Sequence, residues 1–261
     1  MRIAAIDWAM AETAIALGAP VTALAELRAF RRAAPQLDTT SATDLGLRGA
    51  PNLEALSLIG ADLILSSNYY AFVEPQLARI APVFSRAIYV PGHEPFPRVM
   101  TLLDGLGARL GVPDHAAHTR AGYEASFARL AAQARPFARR DLLLIQIGDA
   151  RHMRVFGHDS LFGGAVTALG LRNAWGDGTR FAFAAPVPIT HLARFAQTAL
   201  VIVGDVPHQA RRALSRGALW NSLPQVRAGR VHHLPEFSAF GAIPSALAFA
   251  TALVAALEQQ A

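Results

Sequence analysis

An arginine and a tyrosine offer the clearest chemistry in this chain. Arg48 lies in the run Asp44-Leu-Gly-Leu-Arg48-Gly-Ala-Pro51-Asn52, and Tyr70 closes the run Ala61-Asp-Leu-Ile-Leu-Ser-Ser-Asn-Tyr-Tyr70. Pro51 and Asn52 read as the start of a short helix ending near Ile59, after which residues 63–66 form an apolar strand leading to a polar and aromatic rim. In open α/β sheets, ligands sit where loops leave the carboxyl ends of strands. Arg48 and Tyr70 are therefore expected at one edge, a guanidinium fork beside a phenol, which suits an anionic, oxygen-rich ligand. On loop position alone, Arg48 also reads as a surface arginine capping a turn carbonyl. No Gly-x-Ser-x-Gly nucleophile elbow and no paired general base and nucleophile accompany the pair.

Composition narrows the classes further. The chain has 261 residues, 52% hydrophobic and 16% charged, enough to bury a large core and near the length at which one core splits into two. It contains no cysteine, so disulfides and thiolate metal sites are excluded. All 24 fixed positive charges are arginines, which removes P-loop lysines and Schiff-base chemistry. The net charge of +5 is scattered, with short pairs such as Arg31-Arg32, Arg139-Arg140 and Arg211-Arg212 and no aromatic-interleaved basic tract, so nucleic acid is not an expected partner. Among nine histidines, His115 and His118 lie one helical turn apart and His232-His233 point to opposite faces of a strand. Neither pair has a third or fourth ligand nearby in sequence, so no metal site is expected. The glycines of Gly105-Leu-Gly107-Ala-Arg-Leu-Gly111 follow a helical pattern, not the strand that a dinucleotide loop requires.

Short apolar runs alternate with helical patterns, which predicts α/β layers with mainly parallel strands. The runs are residues 3–6, 21–24, 63–66 and 87–90, then 142–147, 154–156, 200–204 and 230–234. Between these halves Asp114 can cap and Pro136 must stop one long helix, with Tyr123, Phe127, Leu130 and Ala134 on one stripe. Residues 53–56 followed by Ala61-Asp-Leu-Ile echo residues 192–195 followed by Ala199-Leu-Val-Ile. Two similar α/β lobes facing a ligand cleft are the expectation: residues 1–112, a connecting helix over 113–136, and residues 137–261. Residues 237–257 carry no charge, but Gly241 and Pro244 dilute them, so a buried C-terminal helix is expected and not a membrane span.

Several ordered motifs carry a family resemblance over nearly the whole chain. They are Ala5-Ile-Asp-Trp8, Asp44-Leu-Gly-Leu-Arg48 with Pro51-Asn-Leu-Glu54, and Leu77-Ala-Arg-Ile-Ala-Pro82, followed by Arg151-His-Met with Val155-Phe-Gly157. Asn173-Ala-Trp175, Leu219-Trp220 and Val226-Arg-Ala-Gly-Arg230 complete the set. The chain resembles the periplasmic ferric-hydroxamate siderophore-binding proteins, the solute receptors of iron-importing ABC transporters. The resemblance implies a monomeric, non-catalytic periplasmic receptor. It needs no cofactor, because Fe(III) arrives as part of the siderophore, and its partners are the ferric siderophore and an inner-membrane permease. Met1-Arg2 runs straight into residues 3–6 with no leader pattern, so the resemblance implies a mature domain.

By the same resemblance, Arg48 and Tyr70 contact the ferric hydroxamate centre, with Asn68 and Tyr69 on the same rim. Family tryptophans are replaced by Ser66 and Arg32, and by Ala182 with Phe181 and Phe183 beside it. Ser238 and Phe240 stand for a tryptophan and a tyrosine, and Arg32 with Arg180 adds positive charge. These departures raise a citrate-containing siderophore as an alternative ligand, alongside haem or a corrinoid; an α/β enzyme with a cleft active site is the rival from another class. Glu74 takes the place of a permease-docking carboxylate, while Thr190 and His191 occupy its likeliest counterpart in the second lobe.

Overall fold

The computed structural model describes residues 1–176, 178 and 186–259. They fall into two compact units: residues 1–90, 95–124 and 238–246 form the first, and residues 91–94, 125–237 and 247–261 the second.

The first unit runs β1 (Ile3–Ala5), α1 (Trp8–Ala16), β2 (Val21–Leu24), α2 (Leu27–Ala33) and β3 (Thr43–Asp44). A hairpin of β4 (Gly46–Leu47) and β5 (Ala50–Pro51) precedes α3 (Leu53–Ile59), β6 (Leu63–Ser67) and a 3₁₀ turn (Asn68–Tyr70). Then come α4 (Glu74–Leu77), β7 (Val83–Arg86), α5 (Phe96–Leu110) and the start of α6 (Pro113–Ala134). The sheet order is β3-β2-β1-β6-β7 with every pair parallel. Helices cover central strands on both faces in such a sheet, so β1 and β6 are wholly buried and read as unbroken apolar runs. The Asn52 side chain accepts from Ala55 N–H at 2.9 Å to start α3, and Gly60 at φ 62° ends it.

Two expectations shift here. The strand expected over 87–90 lies instead at β7, because β6 ends at Ser67, opposite Arg86, and turns into the 3₁₀ segment, leaving residues 87–90 no ladder partner. Ile88 and Tyr89 are still buried, and the Asn68 amide holds them: Nδ2 donates to Tyr89 O at 3.2 Å and Oδ1 accepts from Ile88 N at 3.3 Å. The long helix begins at Pro113, one residue before the expected cap, since proline has the φ of a first helical position and no N–H to satisfy. Of its expected stripe, Phe127, Leu130 and Ala134 are buried and Tyr123 is half-buried.

The second unit contains β8 (Asp141–Ile147), β9 (His152–Val155), α7 (Leu161–Ala168), β10 (Arg172–Asn173), β11 (Val187–Pro188) and β12 (Ala199–Val203). It continues with α8 (His208–Arg216), α9 (Ala218–Ser222), α10 (Pro224–Arg227), β13 (Val231–Leu234) and most of α11 (Ile243–Glu258). Its sheet order is β11-β9-β8-β12-β13, with β10 beside the start of β8. Here β9 is antiparallel to both neighbours, while β8, β12 and β13 are parallel. The helix expected from residue 237 starts at Ile243. No helix among the described residues is long and apolar enough to cross a membrane.

Candidate functional site

Four loops at the carboxyl ends of β1, β2, β3 and β6 bring the principal side chains together. After β1, Asp7 caps α1: its Oδ1 accepts from Met10 N–H at 3.1 Å and its Oδ2 from the Ser67 hydroxyl at 2.8 Å. That cap places Trp8 on the first helical residue, where the indole N–H donates to Ala25 O at 3.0 Å and the ring meets Phe30 edge-on. After β2, Glu26 adopts φ 54°, a left-handed conformation unusual for a residue with a side chain. Its N–H donates to Gly46 O at 2.7 Å, which ties this loop to the β4–β5 hairpin. Arg48 and Gly49 form that hairpin's turn.

Arg48 is held from two sides. Its Nε donates to Glu26 Oε2 at 2.9 Å, and its guanidinium lies over the Trp8 ring, 4.2 Å from the centroid. It also lies near enough to the Tyr70 hydroxyl for its charge to act on the phenol. Burial pushes the Tyr70 phenol up to about 12, with Asp7 and Glu26 pushing the same way and Arg48 opposing them. Asp7 is buried, and desolvation raises its pKa above the usual carboxylate range against the pull of Ser67, Met10 and Arg48. The guanidinium is therefore oriented and its charge partly balanced by Glu26, while its terminal nitrogens stay directed by a fixed fork. Such a group recognises oxygen acceptors without creating a strongly cationic patch.

An aromatic run extends this group. Tyr69 and Tyr70 lie 6.4 Å apart by ring centroids; Phe240 meets Tyr69 edge-on at 5.9 Å and Tyr89 at 5.2 Å. The Tyr89 hydroxyl donates to Gly241 O at 2.6 Å. Residues 238–246 are fixed in turn by Glu12 on α1, a fully buried carboxyl that accepts from Ala242 N–H at 2.8 Å, Ser245 N–H at 3.1 Å and the Ser245 hydroxyl at 2.6 Å. Any side chain at Gly241 would run into that carboxyl group. Burial raises the Glu12 pKa to about 7, and the three hydrogen bonds hold it from going further.

The structure thus brings Arg48, Tyr70, Tyr69 and Phe240 into one run within the first unit, with Asn68 at its base holding residues 87–90. Ser66 and Ser238 are buried, and neither hydroxyl has a hydrogen-bond partner among the described residues. Arg32 is exposed on the last turn of α2. Glu74 is half-buried at the start of α4, with Oε1 enclosed and unpartnered among the described residues. Phe181, Phe183, Arg180 and Ala182 lie outside the described residues. Sequence reasoning missed Glu26, Asp7, Glu12 and Tyr89 and gave Trp8 no role; the Ala5-Ile-Asp-Trp8 motif was the one available signal for two of them.

Among the described residues, no three His, Asp or Glu side chains converge as a metal site. His232 is buried and His233 exposed, as opposite faces of a strand require. In the second unit, the carboxyl ends of β8, β12 and β13 border a separate cavity of about 580 Å³, lined by Ile147, Ile202, Arg211, Trp220 and His233.

Parallel strands with a polar and aromatic rim at their carboxyl ends are the architecture of a solute-binding α/β protein. The sequence profile of the periplasmic binding protein family matches residues 3–237, and the chain belongs to that family. It is 31% identical over 255 residues to the iron(3+)-hydroxamate-binding protein FhuD of Escherichia coli (strain K12), covering 97% of this chain and 85% of that protein. The Fe3+–Desferal-bound siderophore-binding protein FhuD from Vibrio cholerae shares the fold with a TM-score of 0.90 at 21% identity, over 98% of this chain and 97% of that one. The triscatecholate siderophore-binding protein FeuA from Bacillus subtilis shares it at 0.76 and 16% identity, over 98% and 92%.

Proposed function

We propose that this chain is a monomeric periplasmic receptor that captures a ferric siderophore of the hydroxamate class and delivers it to an ABC importer. The observation that carries this reading is the oriented Arg48–Tyr70 pair on a chain 31% identical to a hydroxamate-binding relative. Hydroxamate oxygens on Fe(III) are hard acceptors that suit a guanidinium fork and a phenol. Three hydroxamates balance the charge of Fe(III), so the complex is close to neutral at its centre. Glu26 beside Arg48 fits that neutrality and disfavours a strongly anionic ferric citrate, whose carboxylates it would repel. Iron is cargo here, and the protein supplies no ligand to it. Arg48 and Tyr70 meet the oxygens, Tyr69 and Phe240 offer ring faces to the organic frame, and Glu74 serves as the permease-facing carboxylate.

Titration of tryptophan fluorescence tests this. Trp8 touches Arg48, so ferric desferrioxamine should quench saturably at micromolar concentration or below, and Trp8→Phe should remove much of the signal. Saturable quenching by ferric citrate, hemin or cobalamin but not by ferric hydroxamates would overturn the ligand assignment.

A further inference from the structure

The second unit carries a concave, basic surface at the amino-terminal ends of β8, β12 and β13, away from their carboxyl-end loops. It is a cavity of about 700 Å³ whose polar lining is Arg139, Arg140, Asp141, Gln197, Arg230 and His232. Its sign is positive. The one carboxylate among these residues, Asp141, is taken by Arg172 at 2.7 Å. Arg139 and Arg140 are exposed to the cavity mouth, and Arg140 is steadied over the Phe137 ring at 5.1 Å. Arg230 is fixed from behind: its two terminal nitrogens donate to Gln197 O at 3.1 Å and Ala196 O at 2.8 Å, carbonyls that leave its charge uncompensated.

His232 lines the same cavity. The ring is 3% exposed, and its Nδ1 lies 3.1 Å from Ala256 O, which fixes the N–H on that nitrogen and leaves Nε2 as the other edge. Burial lowers its pKa, and the positive charge of Arg140 and the neighbouring His233 add to the lowering. Among the described residues, three guanidinium groups and an imidazole line one concavity whose only lining carboxylate is already paired. We propose that this cavity binds a phosphate-class oxyanion, gripped by Arg139 and Arg140 against the fixed Arg230. Guanidinium forks match the tetrahedral edges of such an ion. A free phosphate and a phospholipid headgroup share that chemistry.

The test follows the His232 ring by NMR at constant ionic strength, its signal being identified by loss in His232→Gln. Inorganic phosphate should shift the signal saturably and raise the His232 pKa, since a bound anion opposes the charge of Arg140. Arg140→Gln should weaken phosphate at least tenfold, whereas Arg212→Gln, exposed on α8, should leave it unchanged. A second arm measures retention on phosphatidylglycerol vesicles against phosphatidylcholine vesicles. Saturation by free phosphate alone assigns a soluble anion, and retention on anionic vesicles that Arg139→Gln abolishes assigns a headgroup; both support the site. No His232 shift together with no selective retention would overturn it, as would phosphate binding that survives Arg140→Gln.

Discussion

The two units finish their parallel strands in opposite ways. In the first, the loops after β1, β2, β3 and β6 are filled by their own side chains: Arg48 rests on Trp8 and donates to Glu26, and an aromatic run continues to Tyr89. In the second, the loops after β8, β12 and β13 border an open cavity of about 580 Å³. There Arg211 has no ion-pair partner among the described residues and instead lowers the His233 pKa, after the larger effect of burial. Parallel strand ends therefore support a prearranged polar rim in one unit and an apolar-floored hollow in the other. A rim whose donors are already oriented loses little freedom on binding, which favours directional recognition.

The largest effect concerns what fixes the rim. Glu12 has a folded pKa near 7 against an ordinary 4.5, so its ionised form is the costly one in the folded state. Both states are protonated below about pH 4.5. As pH rises from there through 7, the unfolded chain ionises first and stability falls, by roughly 3 kcal/mol in total. Asp7 is raised as well and acts with the same sign. Thermal unfolding between pH 4.5 and 8 should show this decline in the parent and a shallower one in Glu12→Gln. Parallel pH profiles for the two proteins would remove Glu12 from the account.

Arg48→Ala comes next. It removes a charge-assisted hydrogen bond to the ligand, about 1.5–3 kcal/mol, so affinity for ferric desferrioxamine should fall roughly tenfold to a hundredfold or more. Arg48→Lys should restore only part, because an ammonium cannot present a fork or stack as well on Trp8. Arg211→Ala in the second unit should change affinity little if the rim dominates recognition; an equal loss from both variants would erase the distinction between the units. Phe240→Leu is milder. It keeps an apolar side chain but loses edge contacts to Tyr69 and Tyr89 worth about 0.5–1.5 kcal/mol, so affinity measured in the same titration should drop several-fold. Unchanged affinity would leave Phe240 as packing alone.

What was legible in the chain follows from where its physics is local. The strands β1, β6, β8 and β12 announce themselves because strands buried on both faces are continuous apolar runs. The helix α6 shows through its stripe and its proline boundaries. The two-residue strands β3, β4, β5, β10 and β11 are too short to carry a period. At the site, Arg48 and Tyr70 were visible as residue types at strand exits, but their supports were not. Glu26 reaches Arg48 across 22 positions, and Glu12 reaches Ser245 across 233. Such pairings leave no mark on local spacing. The run at residues 87–90 misleads for a related reason: its burial comes from the Asn68 amide and Phe240, not from a sheet partner.

The smallest effect is the most discriminating for ligand charge. The Arg48–Glu26 pair is partly exposed, with side chains 23% and 27% accessible, so its loss should change stability by no more than about 1 kcal/mol. Glu26→Gln keeps an acceptor near Arg48 Nε and removes one negative charge from the rim. If the ligand is a near-neutral ferric trihydroxamate, its affinity should move less than about threefold, while weak binding of ferric citrate should strengthen by several-fold in the same titration. The two responses separate orientation from charge, because Glu26 contributes both. A large loss of ferric desferrioxamine affinity in Glu26→Gln, with unfolding temperature unchanged, would mean that Glu26 itself engages the ligand and does not act through Arg48. Equal small changes for both ligands would mean that the rim's charge balance does not select between them.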